Sequence, residues 1–255
     1  MAAVNAPPPL IHGDGTPESA WQRSPWLAEL PQRPVEALIA DAARLVVVSP
    51  HPDDEALGCG GAIACARRLR LPVQLLAVTD GEACYPHDPY WTPQRLRAVR
   101  RAELAAAARC LGMAADAIQH LHIADGQVGL HEDALAAQLR AQLRDGDLVL
   151  STWRHDGHPD HEATARAVRR AVAASAARLA EFPVWAWHWL DADAAQSCVP
   201  GAARYALGAA DWQAKQLALH CFASQLGSAR PAVPAPILPP QVLQRFTRRF
   251  EVFAT

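Results

Sequence analysis

From Leu45 onward the chain alternates short β-branched runs with longer Ala/Leu/Arg segments of helical spacing, and no other feature narrows the fold as far. Apolar residues recurring every three to four positions describe helices, and short Val- and Leu-rich runs describe buried strands. Strands are expected at 45–49, 73–79, 118–123, 147–152 and 182–190. Helices are expected at 58–69, 93–111, 131–143, 159 to about 180 and about 211–222. Gly112 ends the second, and Pro159 sits in the first turn of the fourth, where its missing N–H is harmless. Parallel strands joined by right-handed crossovers make a doubly wound, mainly parallel α/β sheet of Rossmann-like type, flanked by helices. Ligands of such sheets bind beyond the carboxyl ends of the strands. Residues 1–25, rich in Pro and Gly and without periodicity, read as an irregular leader, and 26–255 as one domain. The proline-studded stretch 230–240 precedes a short terminal segment read as an edge strand.

Two charged clusters fall at strand ends. Ser49-Pro50-His51-Pro52-Asp53-Asp54-Glu55 follows the first strand and precedes the glycine-rich Gly58-Cys59-Gly60-Gly61. Carboxylates so closely spaced repel one another unless a cation compensates them. The second cluster, Thr152 to Glu162, follows the fourth strand, which in a doubly wound sheet can lie beside the first. It carries His155, Asp156, His158, Asp160 and His161. Imidazole nitrogen and carboxylate oxygen are ligand types of catalytic zinc, where three protein ligands leave one position for water.

Through PHPDDE at 50–55 and HPDH at 158–161, the chain resembles the LmbE-like, or PIG-L-type, N-acetylglucosaminyl deacetylases. The resemblance runs from about Val46 to about Gln225 and includes Arg100-x-x-Glu103, Leu111-Gly112 and Asp125-Gly126. It implies one zinc ion per chain held by His51, Asp54 and His161, with Asp53 as general base. It places His158 opposite the metal, to stabilise the oxyanion or protonate the amine, with Asp160 orienting that imidazole. Arg100 and Asp125 match residues that hold sugar hydroxyls, and Arg97 or Arg101 replace Arg100 if the register slips. The implied activity is zinc-dependent hydrolysis of an N-acyl, foremost N-acetyl, amide on an amino-sugar-type small molecule. Alternatives are a zinc amidase for another small acylated amine and a non-catalytic metal- or ligand-binding module. Retention of Asp53 and His158 argues against the last.

Other readings narrow the field. The net charge of -2 is dispersed, leaving no basic stripe to follow a nucleic-acid backbone. Gly58–Gly61 does not satisfy GxGxxG, which disfavours a nucleotide-dependent oxidoreductase. Six scattered cysteines without a CxxC pair read as reduced thiols, and no apolar run reaches membrane-spanning length, so a cytoplasmic protein is expected. A homo-oligomer stays open. Glu55 reads equally as a partner behind the metal ligands or as a helix-start acid. His155, read as a solvated loop histidine, and Asp156 stay outside the ligand set; His120 and His122 read as packing or satisfied by backbone, and His87 as a substrate contact or part of a mobile, turn-rich lid. Trp185, Trp187 and Trp189 would share one face of a strand, as core or as a substrate platform. Lys215 is the only lysine, a bias that carries no functional reading.

Overall fold

In the computed structural model, which describes residues 11–195, 199–229 and 235–255, the Leu45–Val48 run serves two cores at once. Leu45 and Val47 point into one apolar cluster and Val46 and Val48 into another, as side chains alternate along a strand. A strand buried on both faces needs no polar alternation, which is why it reads as an unbroken Val/Leu run.

Eight strands form one sheet: β1 (Gln32–Pro34), β2 (Arg44–Ser49), β3 (Val73–Ala77), β4 (Ile118–His120), β5 (Asp147–Thr152), β6 (Arg178–Phe182), β7 (Ala202–Ala206) and β8 (Phe250–Ala254). Their order is β1-β7-β8-β6-β5-β2-β3-β4. Every pairing is parallel except those of β8, which runs antiparallel to both β6 and β7. Helices Asp54–Arg68, Pro93–Cys110 and Ala209–Leu219 cover one face, and Glu132–Arg140 and Pro159–Ala173 the other. This is the doubly wound, mostly parallel sheet expected, with β5 directly beside β2. Among the described residues no helix is long and apolar enough to cross a membrane.

Several expected elements differ. The first helix begins at Asp54, so both acidic residues of its first turn belong to the helix and not to the preceding loop. The helix from Pro159 ends at Ala173, and Arg178–Phe182 leaves it to become β6. The expected strand at 182–190 is not one. Pro183 lacks the N–H a ladder needs. The next three backbone N–H groups, of Val184, Trp185 and Ala186, donate to the Asp156 carboxylate at 2.9, 2.9 and 3.0 Å, and Ala186–Trp189 is helical. The three tryptophans therefore do not share a face: Trp187 is buried in the core and Trp185 lines the main cavity. The terminal strand β8 lies inside the sheet and not at its edge. β1, three exposed residues ending in proline, is an edge strand without hydrophobic alternation to announce it.

The segment read as an irregular leader contains a helix at Glu18–Arg23, whose Trp21 is 0% exposed and donates from Nε1 to Trp187 O at 2.9 Å. Trp21 meets Trp187 edge-on, with ring centroids 4.9 Å apart. Residues 1–10 of that leader, and 230–234 of the proline-studded stretch, lie outside the described residues.

Candidate metal centre and active site

Because β2 and β5 are parallel neighbours, the loops after Ser49 and Thr152 leave the same edge of the sheet side by side. The first is tied to the loop after β3, where the Thr79 hydroxyl donates to Pro50 O at 2.9 Å. Asp53 adopts φ 130°, ψ -30°, a conformation that costs a non-glycine residue about 1–3 kcal/mol and persists only where surroundings enforce it. They do so here. Asp53 N–H donates to Glu55 Oε2 at 3.2 Å, and Leu57 N–H donates to Asp53 O at 2.9 Å. The Arg100 guanidinium donates to Asp53 Oδ2 at 2.9 Å and to the carbonyls of Pro52 and Gly81.

Three side-chain atoms then form a small triangle. Asp54 Oδ2 lies 3.4 Å from His51 Nδ1 and 3.2 Å from His161 Nε2, and the two nitrogens are 3.2 Å apart. A tetrahedral zinc with bonds of about 2.0–2.2 Å separates its ligand atoms by roughly 3.4 Å, so this donor set fits such an ion without rearrangement. Each imidazole is held from behind by carboxylates on its other nitrogen. His51 Nε2 faces Asp125 at 3.1 Å and Asp160 at 3.3 Å, and His161 Nδ1 faces Asp156 at 2.8 Å. Such outer partners fix ring orientation in metal sites. The four carboxylates gathered around two buried imidazoles leave an excess of negative charge that a divalent cation would neutralise.

Protonation follows from this crowding. Burial alone would raise Asp54, but the flanking imidazoles hold it well below the usual carboxylate range. Burial lowers His161, yet Asp54 and Asp156 on either side raise it to about 9. Asp53 is pushed by burial up to about 7 against the pull of Arg100. Burial, with the neighbouring His161 and His51, takes His158 down to about 3. The Asp160 N–H donates to His158 Nδ1 at 3.2 Å as part of the helix start, so the neutral ring carries its proton on Nε2.

A cavity of about 370 Å³ opens onto this cluster. His51, Asp53, Asp54, Arg100, Asp125, His158 and Asp160 all line it, facing an apolar wall that includes Leu57, Val184, Trp185, Ile237 and Leu238. His161 lies fully buried behind them. All eight expected site residues thus converge, but two stand differently from expectation. The Asp160 carboxylate accepts from the N–H groups of Gly126 and Val128 and meets His51, not His158. Arg100 is 3% exposed, with its guanidinium committed to Asp53 and two carbonyls in place of sugar hydroxyls. Arg97 and Arg101 pair with Glu82 and Asp80 and do not line the cavity. Asp156 is the residue that sequence reasoning misses. Its place five residues before His161 gives no sign that it also gathers the backbone of 184–186.

The fold and the donor triangle together define a class: an α/β protein with a His–Asp–His cluster able to hold a metal ion at the carboxyl edge of a mostly parallel sheet. Residues 46–172 match the family model described as PIG-L: GlcNAc-PI de-N-acetylase, and the chain belongs to this PIG-L, or LmbE-like, family. It is 31% identical over 134 residues to a probable N-acetyl-alpha-D-glucosaminyl L-malate deacetylase 2 of Bacillus subtilis (strain 168), covering 50% of this chain and 60% of that protein. The chain spans about 60% of the length of the curated relatives it matches. Among solved structures it resembles a deacetylase triple mutant of the teicoplanin biosynthetic pathway, with TM-score 0.61, 22% identity and coverage of 82% of this chain and 96% of that one. It also resembles the conserved protein TT1542 of Thermus thermophilus, with TM-score 0.57, 23% identity and coverage of 84% and 94%. Both likenesses are ones of fold.

Proposed function

We propose that this chain is a zinc-dependent N-deacetylase that hydrolyses the N-acyl, foremost N-acetyl, amide of an amino-sugar-type small molecule. The observation that carries the reading is the His51–Asp54–His161 donor triangle, with Asp53 and His158 beside it on the wall of one cavity. Family membership and relatives named as N-acetylglucosaminyl deacetylases support the amino-sugar class.

One zinc ion per chain, bound by those three residues, supplies Lewis acidity for the acyl oxygen and for water. Asp53, raised to about 7 and not needed in the triangle, takes the proton of the attacking water and passes it to the departing amine. Arg100 holds that carboxylate in place. His158, neutral with its proton on Nε2, donates a hydrogen bond to the negative charge that develops on the acyl oxygen. Asp125, on the cavity wall, contacts a sugar hydroxyl while steadying His51. Trp185 offers its ring to the apolar face of the sugar. The five described cysteines are unpaired, which accords with a cytoplasmic setting.

The test is a screen of N-acetylated sugars, glycolipid precursors and antibiotic intermediates for released acetate, using zinc-reconstituted protein. Asp53→Asn is expected to lower turnover by about 10²–10⁴-fold with zinc still bound at one ion per chain. Loss of the metal in that variant would show that base and ligand have been exchanged. Acetate release only from amides outside the sugar class would move the function to a zinc amidase.

A further inference from the structure

The helix Asp54–Arg68 that carries the metal-side carboxylates is broken at Cys59, where φ is -141° and ψ 19°. In an unbroken helix Gly61 N–H would donate to Leu57 O, and Ala62 N–H to Gly58 O. Here both N–H groups donate instead to Glu251 of β8, at 2.7 Å to Oε1 and 2.9 Å to Oε2. The abandoned Leu57 carbonyl accepts from Lys215 Nζ at 2.8 Å, and Lys215 in turn meets Glu251 Oε1 at 2.7 Å. Lys215 is 2% exposed and Glu251 3%. An ion pair from two other elements is thus spliced into the hydrogen-bond ladder of this helix.

Neighbouring glycines let the broken segment come this close. A Cβ at Gly58 would fall 1.9 Å from the Phe182 ring, and one at Gly61 2.5 Å from Leu207. Stability does not account for the arrangement, because a continuous ladder over an apolar pair would satisfy the same backbone groups without burying two charges. What the break achieves is geometric. It separates the turn Asp54–Gly58, which bears Asp54 and the cavity-lining Leu57, from the rest of the helix and gives that turn its own direction.

We propose that Lys215 and Glu251 are positioning residues of the metal site, a buried splint that aims the Asp53–Asp54 turn at His161. The inference rests on the ligand set proposed above. The double variant Lys215→Met/Glu251→Gln removes both charges, so that neither is left buried alone. Zinc affinity, measured by competition with a chromophoric chelator, is expected to fall about tenfold or more. The visible spectrum of the cobalt(II)-loaded protein should change as the ligand angles open. The unfolding midpoint of the metal-free protein is expected to fall too, because an amide at 251 turns its NH₂ toward the Gly61 or Ala62 N–H, so affinity and spectrum are read at a temperature where the metal-free variant is folded. Unchanged zinc affinity and an unchanged cobalt spectrum would overturn the proposal. If the double variant fails to fold, Lys215→Met alone carries the same test, since it withdraws the cation from Leu57 O and Glu251. Gly60→Ala, whose new Cβ would sit 3.2 Å from Lys215 Cγ and press it a few tenths of an ångström aside, gives a milder version. There too, loss of affinity with a changed spectrum supports the splint, and parental values overturn it. Asp54→Asn run alongside separates the two failures: if it also leaves zinc affinity intact, the ligand set itself is wrong.

Discussion

Asp156 Oδ2 lies 2.8 Å from His161 Nδ1, with both residues 0% exposed, and the same carboxylate gathers the N–H groups of Val184, Trp185 and Ala186. One side chain therefore orients a proposed metal ligand and shapes the chain that presents Trp185 to the cavity. In Asp156→Asn the amide NH₂ takes either the Oδ2 place, against Trp185 N–H and His161 Nδ1–H, or the Oδ1 place, against the N–H groups of Val184 and Ala186, donor against donor either way. Zinc affinity is expected to drop about 10–100-fold, read by chelator competition. An Asn variant with parental affinity would reduce Asp156 to a loop anchor.

Arg100 distinguishes two roles by its pH behaviour. If it serves Asp53, removing its cation in Arg100→Gln leaves the carboxylate harder to ionise and moves its pKa above the present value of about 7. The acid limb of kcat against pH should shift upward, with activity partly regained at higher pH. A sugar contact would instead raise KM at every pH and leave the limb in place.

Metal uptake should release protons. His161 titrates at about 9 in the metal-free site, so it is protonated at pH 7 and must lose that proton to ligate. Affinity is therefore expected to rise with pH, by at least about tenfold per unit between pH 7 and 9 because His51 is raised as well, and to weaken as pH falls. Calorimetry in buffers of different ionisation enthalpy should show at least about one proton released per ion at pH 7. Zero release would mean that His161 is not a ligand.

The helix at Glu18–Arg23 makes a testable claim about what holds the domain together. Trp21 is fully buried against Trp26 and Trp187, and its indole N–H reaches the Trp187 carbonyl. Trp21→Ala is expected to destabilise by about 3–5 kcal/mol, read by chemical denaturation. A change below about 1 kcal/mol would place residues 18–23 outside the cooperative unit.

How much of this is legible in the sequence depends on how local the signal is. β2 and β5 announce themselves because a strand buried on both faces is a contiguous apolar run, and Asp147–Thr152 matches its expected span to the residue. β6 hides in the tail of a helical pattern, since Arg178 and Glu181 break its apolar character, and Glu181 pairs with Arg169 of the preceding helix. The stretch after Phe182 carries a true period-two alternation, but the Asp156 carboxylate 28 residues upstream of Val184 captures its backbone. The ligand triangle is readable because each motif is a few consecutive residues at a strand end. The partners of Arg100 and Asp160 are not, because only packing decides which of several nearby groups a side chain meets. Lys215, which reads as compositional bias, is the plainest case: its two partners, Leu57 O and Glu251, lie on a different helix and on β8.

The place of β8 has a temporal consequence. It follows every other strand in the chain yet lies between β6 and β7. A ribosome delivers the other seven described strands before the one that bridges β6 and β7, so the hydrogen-bonded joining of β7 and its neighbour β1 to the rest of the sheet waits for Phe250–Ala254. Glu251 arrives on that same strand. Gly61 is thus hydrogen-bonded to a residue 190 positions further along the chain, so by the proposal above the turn bearing Asp54 takes its final aim only after β8 has been made.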